Sequence, residues 1–233
     1  MMKKTLFFLV LFLSSIQGAF STDFYGKMLT LYEKKDFKTI EQECSKEIKH
    51  SPRSLDAYYF LAAIHLYEGK QDKAKPYIEK FQKYHAEMEN KEAQKTGHPV
   101  MLIDARYTGL YFEIGKSRFM DARYADAIPW LLKAKSTFYK DPMLNFFLGI
   151  SYKQTKEYAE AIKYLKRQLE YAPEEPSPYY NIACVYAEQG KTREAIASLK
   201  KAVEAHPEFK DQARNDKDFD NIRNTKEFMA LIK

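Results

Sequence analysis

The sequence predicts an all-α fold in which pairs of helices stack on one another. Helix-breaking glycine is scarce, with 8 residues among 233. Apolar side chains recur at three- and four-residue steps, as on one face of a helix, and no run of Val, Ile or Thr shows the period of two typical of a strand. A third observation is internal repetition every 34 residues, which predicts one supersecondary unit copied along the chain.

The repeat is clearest in the C-terminal half, where residues 142–175 and 176–209 align without a gap. The aligned pairs include Leu148 with Ile182, Gly149 with Ala183, Tyr152 with Tyr186, Ala161 with Ala195, Leu165 with Leu199 and Pro173 with Pro207. The same frame fits residues 108–141, 55–88 and, most weakly, 21–54. A single helix pair cannot bury its apolar face alone, so we expect the copies to stack.

These residues resemble the tetratricopeptide repeat family, whose pattern has an early aromatic residue, Leu-Gly, Tyr, two later Ala residues and a closing Pro. The resemblance covers about five copies and nearly all of the chain after residue 20. It implies a right-handed α-solenoid of helix-turn-helix repeats that holds another polypeptide in a concave groove. Residues 210–233 are similar to the capping helices that end such proteins, with Phe219, Ile222, Phe228 and Leu231 as apolar anchors.

The frame breaks between the second and third copies, where it advances by 53 residues instead of 34. The extra residues, 89–107, predict extended helices: a second helix running to about Lys95, a loop at 96–99 and a first helix from about Met101. The segment is a tolerated insertion, a partner contact or a bend in the superhelix.

Residues 1–19 have the layout of a secretory signal peptide. Lys3 and Lys4 precede an apolar run from Leu6 to Leu13, and the small residues Gly18 and Ala19 follow. The run is shorter than the roughly 20 residues that a spanning helix needs, so we expect the signal to be removed and no spanning segment to remain. The sequence therefore predicts export to the periplasm, with secretion or peripheral association with the outer membrane as alternatives.

Composition and spacing argue against several functional classes. The net charge is +6, but basic and acidic residues are interleaved without a basic stripe, so no nucleic-acid partner is expected. The glycines are isolated and the five histidines lack metal-ligand spacing, so we expect no cofactor and no metal. No nucleophile has a recognisable base, and we expect a protein that is not an enzyme. Cys44 and Cys184 are predicted to be small apolar core residues.

The resemblance places a candidate partner site on the first helices, because these line the groove in the family. The fifth residue of each copy is aromatic. The predicted groove residues are Tyr25, Tyr59, Phe60, Phe112, Lys116, Phe146, Ile150, Tyr180 and Asn181. Aromatic side chains offer large contact areas and often anchor a partner, although the same positions suit packing between helices.

The sequence favours a non-catalytic scaffold or adaptor of the cell envelope that binds a protein or peptide of unknown identity. One alternative is a structural subunit of an envelope complex or homo-oligomer, assembled through residues 89–107. A third is a carrier of an apolar ligand or cell-wall fragment.

Overall fold

The structure is a computed structural model that describes residues 24–233; the predicted signal peptide and the start of the first copy lie outside the described residues. The described chain forms two compact units, divided between Ile114 and Gly115. Regular structure in residues 24–233 is entirely helical, which confirms the predicted fold class. None of the described helices combines the length and apolar character that crossing a membrane requires.

The first unit contains two helix pairs and the start of a further helix. The pairs are α1 (Phe24–Glu33) with α2 (Phe37–His50), and α3 (Leu55–Tyr67) with α4 (Gln71–Thr96). Side-chain caps begin two of them, since the Asp36 carboxylate accepts a hydrogen bond from the Thr39 backbone N–H and the Ser54 hydroxyl accepts one from Ala57. Helix α3 is apolar on all sides and is buried from Ala57 to His65.

The segment 89–107 agrees with the prediction in its first half only. Helix α4 runs for 26 residues to Thr96 and ends at Gly97, which takes the left-handed conformation (φ 74°). The predicted helix from Met101 is wrong, because α5 (Thr108–Met120) begins seven positions later, after one 3₁₀ turn at Ala105–Tyr107.

Side-chain acceptors explain why the chain is not helical before this turn. Glu89 Oε1 accepts a hydrogen bond from the Leu102 backbone N–H at 2.8 Å, and Asp104 Oδ1 accepts one from Arg106 N–H at 2.9 Å. Such bonds offer the backbone an alternative to the helical ladder. The pattern of apolar residues contains no sign of these acceptors, so it predicted too early a helix start.

The second unit begins within α5 and contains five further long helices. They are α6 (Tyr124–Phe138), α7 (Pro142–Gln154), α8 (Tyr158–Tyr171), α9 (Ser177–Glu188) and α10 (Thr192–Ala205). The closest associations join α7 to α8 and α9 to α10, which are consecutive helix pairs.

The turn inside each pair repeats its backbone conformation along the chain. Residues with φ between 56° and 75° occur there at Lys35, Gly69, Ala122, Lys156 and Gly190. Their positions differ by 34, 53, 34 and 34 residues, so the backbone repeats with the period of the sequence and includes the longer step.

The chain after α10 folds back over the last pair. Short helices α11 (Phe209–Asn215) and α12 (Lys226–Leu231) flank a 3₁₀ turn at Lys217–Phe219. Ala213, Phe219, Ile222 and Phe228 are buried in one cluster with residues of α9 and α10. The apolar anchors expected from the sequence therefore pack against the side of the last pair that no further repeat covers.

In the pairs α5–α6 and α7–α8, a glycine of the first helix lies against a leucine of the second. A Cβ atom on Gly149 would lie 2.8 Å from Leu165 Cγ, and one on Gly115 would lie 2.7 Å from Leu131 Cγ. Both leucines are fully buried. Because the neighbouring side chain is enclosed, a larger residue than glycine would push the helices apart.

We expect Gly149→Ala to lower the free energy of unfolding, although alanine is the better helix former. Helix propensity favours alanine by about 1 kcal/mol, whereas overpacking costs about 1–3 kcal/mol. Denaturant unfolding followed by circular dichroism measures the difference. In a Leu165→Ala background the same change should be neutral or stabilising, because the clash is absent. An equal loss in both backgrounds would contradict this explanation.

Candidate protein-interaction site

Four of the predicted groove residues lie in the first unit, and all four are buried. Tyr25, Tyr59, Phe60 and Phe112 are at most 5% exposed. The Tyr25 ring centroid lies 5.2 Å from that of Phe60, and Tyr107 of the 3₁₀ turn lies 5.4 Å from Tyr59. At this burial they have almost no surface to offer a partner. Their predicted role as anchors is therefore corrected to packing within the unit.

Polar contacts hold the 3₁₀ turn against this aromatic core. The Tyr107 hydroxyl donates a hydrogen bond to Asp56, and the Arg106 guanidinium lies 3.4 Å from the same carboxylate. The guanidinium also lies 5.1 Å from the centre of the Tyr25 ring. Burial and the Asp56 charge raise the pKa of Tyr107 above its usual range, so this phenol stays a hydrogen-bond donor.

The other five predicted groove residues lie in the second unit and differ in exposure. Lys116, Phe146, Ile150 and Asn181 are partly buried and reach the surface. Tyr180 is only 3% exposed, since its ring stacks on Phe209 with centroids 4.9 Å apart. The predicted anchor role of Tyr180 is thus also corrected to packing.

An accessible apolar face remains on α7. Met143, Phe146, Ile150 and Lys153 follow one another at three- and four-residue steps and share one side of the helix; we call them the α7 stripe. Met143 is 51% exposed. Phe119, near the end of α5, extends the apolar surface, with its ring centroid 5.9 Å from that of Phe146.

Sequence reasoning missed Met143 and Phe119 as parts of this surface. Both stand on first helices, at positions two and twelve of their copies, and share a helix face with predicted residues. The three- and four-residue spacing is the signal that could have found them.

The equivalent face of α9 is covered by the chain itself. We call Tyr180, Cys184 and Ala187 the α9 face, and Asp216–Asp220 the acidic turn. Asp216 Oδ2 accepts a hydrogen bond from the Tyr180 hydroxyl at 2.8 Å and a weaker one from Cys184 Sγ at 3.9 Å. Phe219 is fully buried, with its ring centroid 5.6 Å from that of Tyr180.

The end of α9 is capped by the residue that follows the acidic turn. The Asn221 side-chain amide donates hydrogen bonds to the carbonyl oxygens of Glu188 at 3.0 Å and Ala187 at 3.4 Å. These belong to the last turn of the helix, whose carbonyls have no partner in the helical ladder. The chain after α10 therefore meets α9 through polar as well as apolar contacts.

Lys153 joins the α7 stripe to the acidic turn. It is only 7% exposed; its ammonium group bonds Asp218 and lies 3.3 Å from Glu188. Burial alone would lower the pKa of Lys153, but the bond to Asp218 and the nearby acidic charges hold it above its usual value. Burial raises the pKa of Glu188, and Asp218 adds to that rise against the opposing charge of Lys153. The positive charge of Lys153 therefore compensates the carboxylate of Asp218 more fully than that of Glu188.

Both cysteines are free and buried, which confirms their prediction as core residues. Burial raises the pKa of Cys44 to about 12 and that of Cys184 well above its usual value, so both stay protonated at neutral pH. One ligand atom each of Cys184, Asp216 and Asp218 lie within 4.8 Å of one another. Donors from Tyr180 and Lys153 already bond the two carboxylates, so this group is a hydrogen-bonded network.

Helix pairs that repeat in this manner define an α-helical repeat protein. Tetratricopeptide repeat models match residues 142–208 and residues 55–84. The chain is a tetratricopeptide repeat protein. A comparison with curated protein sequences finds no significant match.

Solved structures agree with this fold. YrrB, described as a tetratricopeptide protein with an unusual peptide-binding site, superposes with a TM-score of 0.53 at 18% identity, over 77% of this chain and 83% of YrrB. MamA AMB-1 gives a TM-score of 0.53 at 18% identity, over 78% of this chain and 95% of MamA. A second crystal form of MamA AMB-1 gives 0.52 at 19% identity, over 78% and 89%. At these identities the likeness concerns the fold alone.

We expect Glu188→Gln to raise the melting temperature at pH 7. Because the pKa of Glu188 is raised on folding, its contribution to stability is present below the unfolded pKa and is lost as the pH rises through the folded value. The amide cannot ionise, so the advantage of the variant should shrink towards pH 4. Calorimetry across this pH range measures it. Glu170→Gln, on the exposed side of α8, is the matched control; a destabilised Glu188→Gln at pH 7 would refute the assignment.

Proposed function

We propose that this protein is a non-catalytic scaffold that binds an apolar segment of a partner protein on the α7 stripe. The observation that carries the proposal is the accessible apolar surface of Met143, Phe146 and Ile150 on a first helix, extended by Phe119. A patch of adjacent apolar side chains on a soluble surface is typical of interaction sites. Tetratricopeptide proteins generally bind proteins or peptides and are generally not enzymes.

The partner segment that suits this surface is apolar in its middle part. The charge of Lys153, at one end of the stripe, is already compensated by Asp218 and Glu188. An acidic group of the partner would therefore gain little there and would face two carboxylates. The peptide-binding site of YrrB, a protein of the same fold, supports the choice of a peptide segment over a small ligand.

We propose the cell envelope as the place of this function. The support is the N-terminal sequence, where two lysines, a short apolar run and small residues follow one another as in an export signal. The periplasm is the compartment we favour.

A photocrosslinking amino acid at Met143 or Ile150, in cells of the source organism, tests the proposal. Both positions should crosslink the same partner, and a probe at Met229, which is 46% exposed on α12, should not. Fractionation of the same cells should recover the adduct from the periplasm. Recovery from the cytosol would refute the envelope assignment, and equal crosslinking from Met229 would refute the site.

Ile150→Glu should then weaken binding of that purified partner by about tenfold or more, because a charge would be buried in an apolar contact. Calorimetric titration gives the affinity, and Met229→Glu is the matched control. Unchanged binding by a folded Ile150→Glu protein would contradict the proposal.

One observation favours a second candidate function, self-assembly through the first unit. Met88, Met101 and Ile103 are 45–50% exposed and lie at or beside the 89–107 segment. Burial of such side chains between copies would remove apolar surface from water.

Self-assembly predicts a wild-type mass in solution that is a multiple of the chain mass. The double change Met88→Glu and Ile103→Glu should reduce it to a single copy, measured by light scattering. Met120→Glu, at a side chain that is 72% exposed in the second unit, should leave the mass unchanged. A wild-type protein of one copy at high concentration would exclude this candidate.

A further inference from the structure

The α9 face carries a hydrogen-bond donor set that needs an acidic partner. Beneath the acidic turn, Tyr180 and Cys184 are 3% and 1% exposed, and Lys153 of α7 reaches the same place at 7% exposed. A buried ammonium group or phenol is costly unless an acceptor satisfies it. The three donors come from two consecutive repeats, so the stacked helices build this set together.

The acidic turn matches these donors one by one. Asp216 accepts hydrogen bonds from the hydroxyl of Tyr180 and the thiol of Cys184, whereas Asp218 accepts one from the ammonium group of Lys153. Phe219 adds an aromatic ring that is fully buried against Tyr180. The chain thus presents to its own repeats a short peptide of the form Asp-x-Asp-Phe.

The shape of this peptide is set largely within the C-terminal segment. Asp216 Oδ1 accepts a hydrogen bond from the backbone N–H of Asp218 at 3.0 Å, and the Arg223 guanidinium donates to the Asp216 carbonyl at 2.6 Å. Three exposed residues, His206–Glu208, separate α10 from α11. The acidic turn is therefore a locally braced element between α11 and α12, held to the repeats by the contacts just described and by the buried Ala213, Ile222 and Phe228.

We propose that the α9 face is a second peptide-binding site, selective for acidic segments of the form Asp-x-Asp-Phe, and that the acidic turn is its built-in occupant. A partner protein with such a segment binds there by exchange with the acidic turn. This proposal rests on the scaffold function proposed above but uses a different surface from the apolar middle of the α7 stripe. The occupant closes the α9 face to other partners until it is exchanged.

Exchange has a quantitative condition that makes the proposal testable. A segment on a short connection has an effective concentration on the order of mM, so a free peptide with the same contacts competes poorly with it. Loss of one charged hydrogen bond in the attached segment weakens it by about tenfold or more. The site should therefore accept added peptide once the attached segment is weakened.

The probe is a fluorescent peptide of residues 211–224, and fluorescence anisotropy measures its binding to the full chain. We expect weak binding to wild type, tighter binding to Asp218→Asn, and the tightest binding to Asp218→Asn with Phe219→Ala. A control peptide with Asp216→Asn and Asp218→Asn should bind none of these proteins. Adding Lys153→Met to Asp218→Asn should abolish binding of the original peptide.

Circular dichroism checks that each variant is folded. If the double variant unfolds, the comparison of peptide binding between wild type and Asp218→Asn, which keeps Phe219, still tests the proposal.

Two outcomes would overturn the proposal. If a folded Asp218→Asn protein binds the peptide no better than wild type does, the acidic turn is a permanent cap. Equal binding of the original and the control peptide to Asp218→Asn would show that the α9 face does not select acidic segments. Failure of the scaffold proposal is recognised separately, because Met143→Glu, ten residues from Lys153 on α7, should weaken binding of the apolar partner and leave this peptide assay unaffected.

Discussion

In the pairs α5–α6 and α7–α8, the distance between the two helices depends on a position that has no room for a side chain. Leu165 fills the space beside Gly149, and Leu131 fills the space beside Gly115, so each pair is held at contact distance. Dense packing at this point fixes how the pair presents its outer faces to the next helix. Each copy must reverse its chain direction between its two helices within the same short turn. This is why a left-handed residue recurs in these turns, in step with the repeat of the sequence.

Equivalent residues of different copies have different environments once the pairs are assembled. The fifth residue of a copy is aromatic throughout, yet Tyr59 is buried beside Tyr107, Tyr180 is buried beneath the acidic turn, and Phe146 remains partly open. The exposure of this aromatic residue depends on which segment packs against it. In the first unit an irregular segment packs against Tyr59, and in the second unit the C-terminal segment packs against Tyr180. Neither segment belongs to the repeat.

Charge compensation gives the second unit its polar organisation. Lys153 is nearly buried, and a cation in that place requires acidic neighbours. Asp218 lies 65 residues further along the chain and supplies the main one, whereas burial, together with the charge of Asp218, raises the pKa of Glu188. The ion pair between Lys153 and Asp218 connects the repeats to the C-terminal segment. It lies between the apolar part of the α7 stripe and the covered α9 face.

The sequence is sufficient to predict the all-α class, the repeat period, the family resemblance and the burial of the cysteines, because each depends on local spacing of apolar and small residues. It also indicated that α4 is longer than its counterparts. The start of α5 was decided by side-chain acceptors at Glu89 and Asp104, whose partners the apolar pattern does not specify. Which predicted groove residues reach the surface was decided by tertiary structure alone. Exposure depends on what packs over a helix, and contacts such as Lys153 with Asp218 join residues that no repeat frame relates.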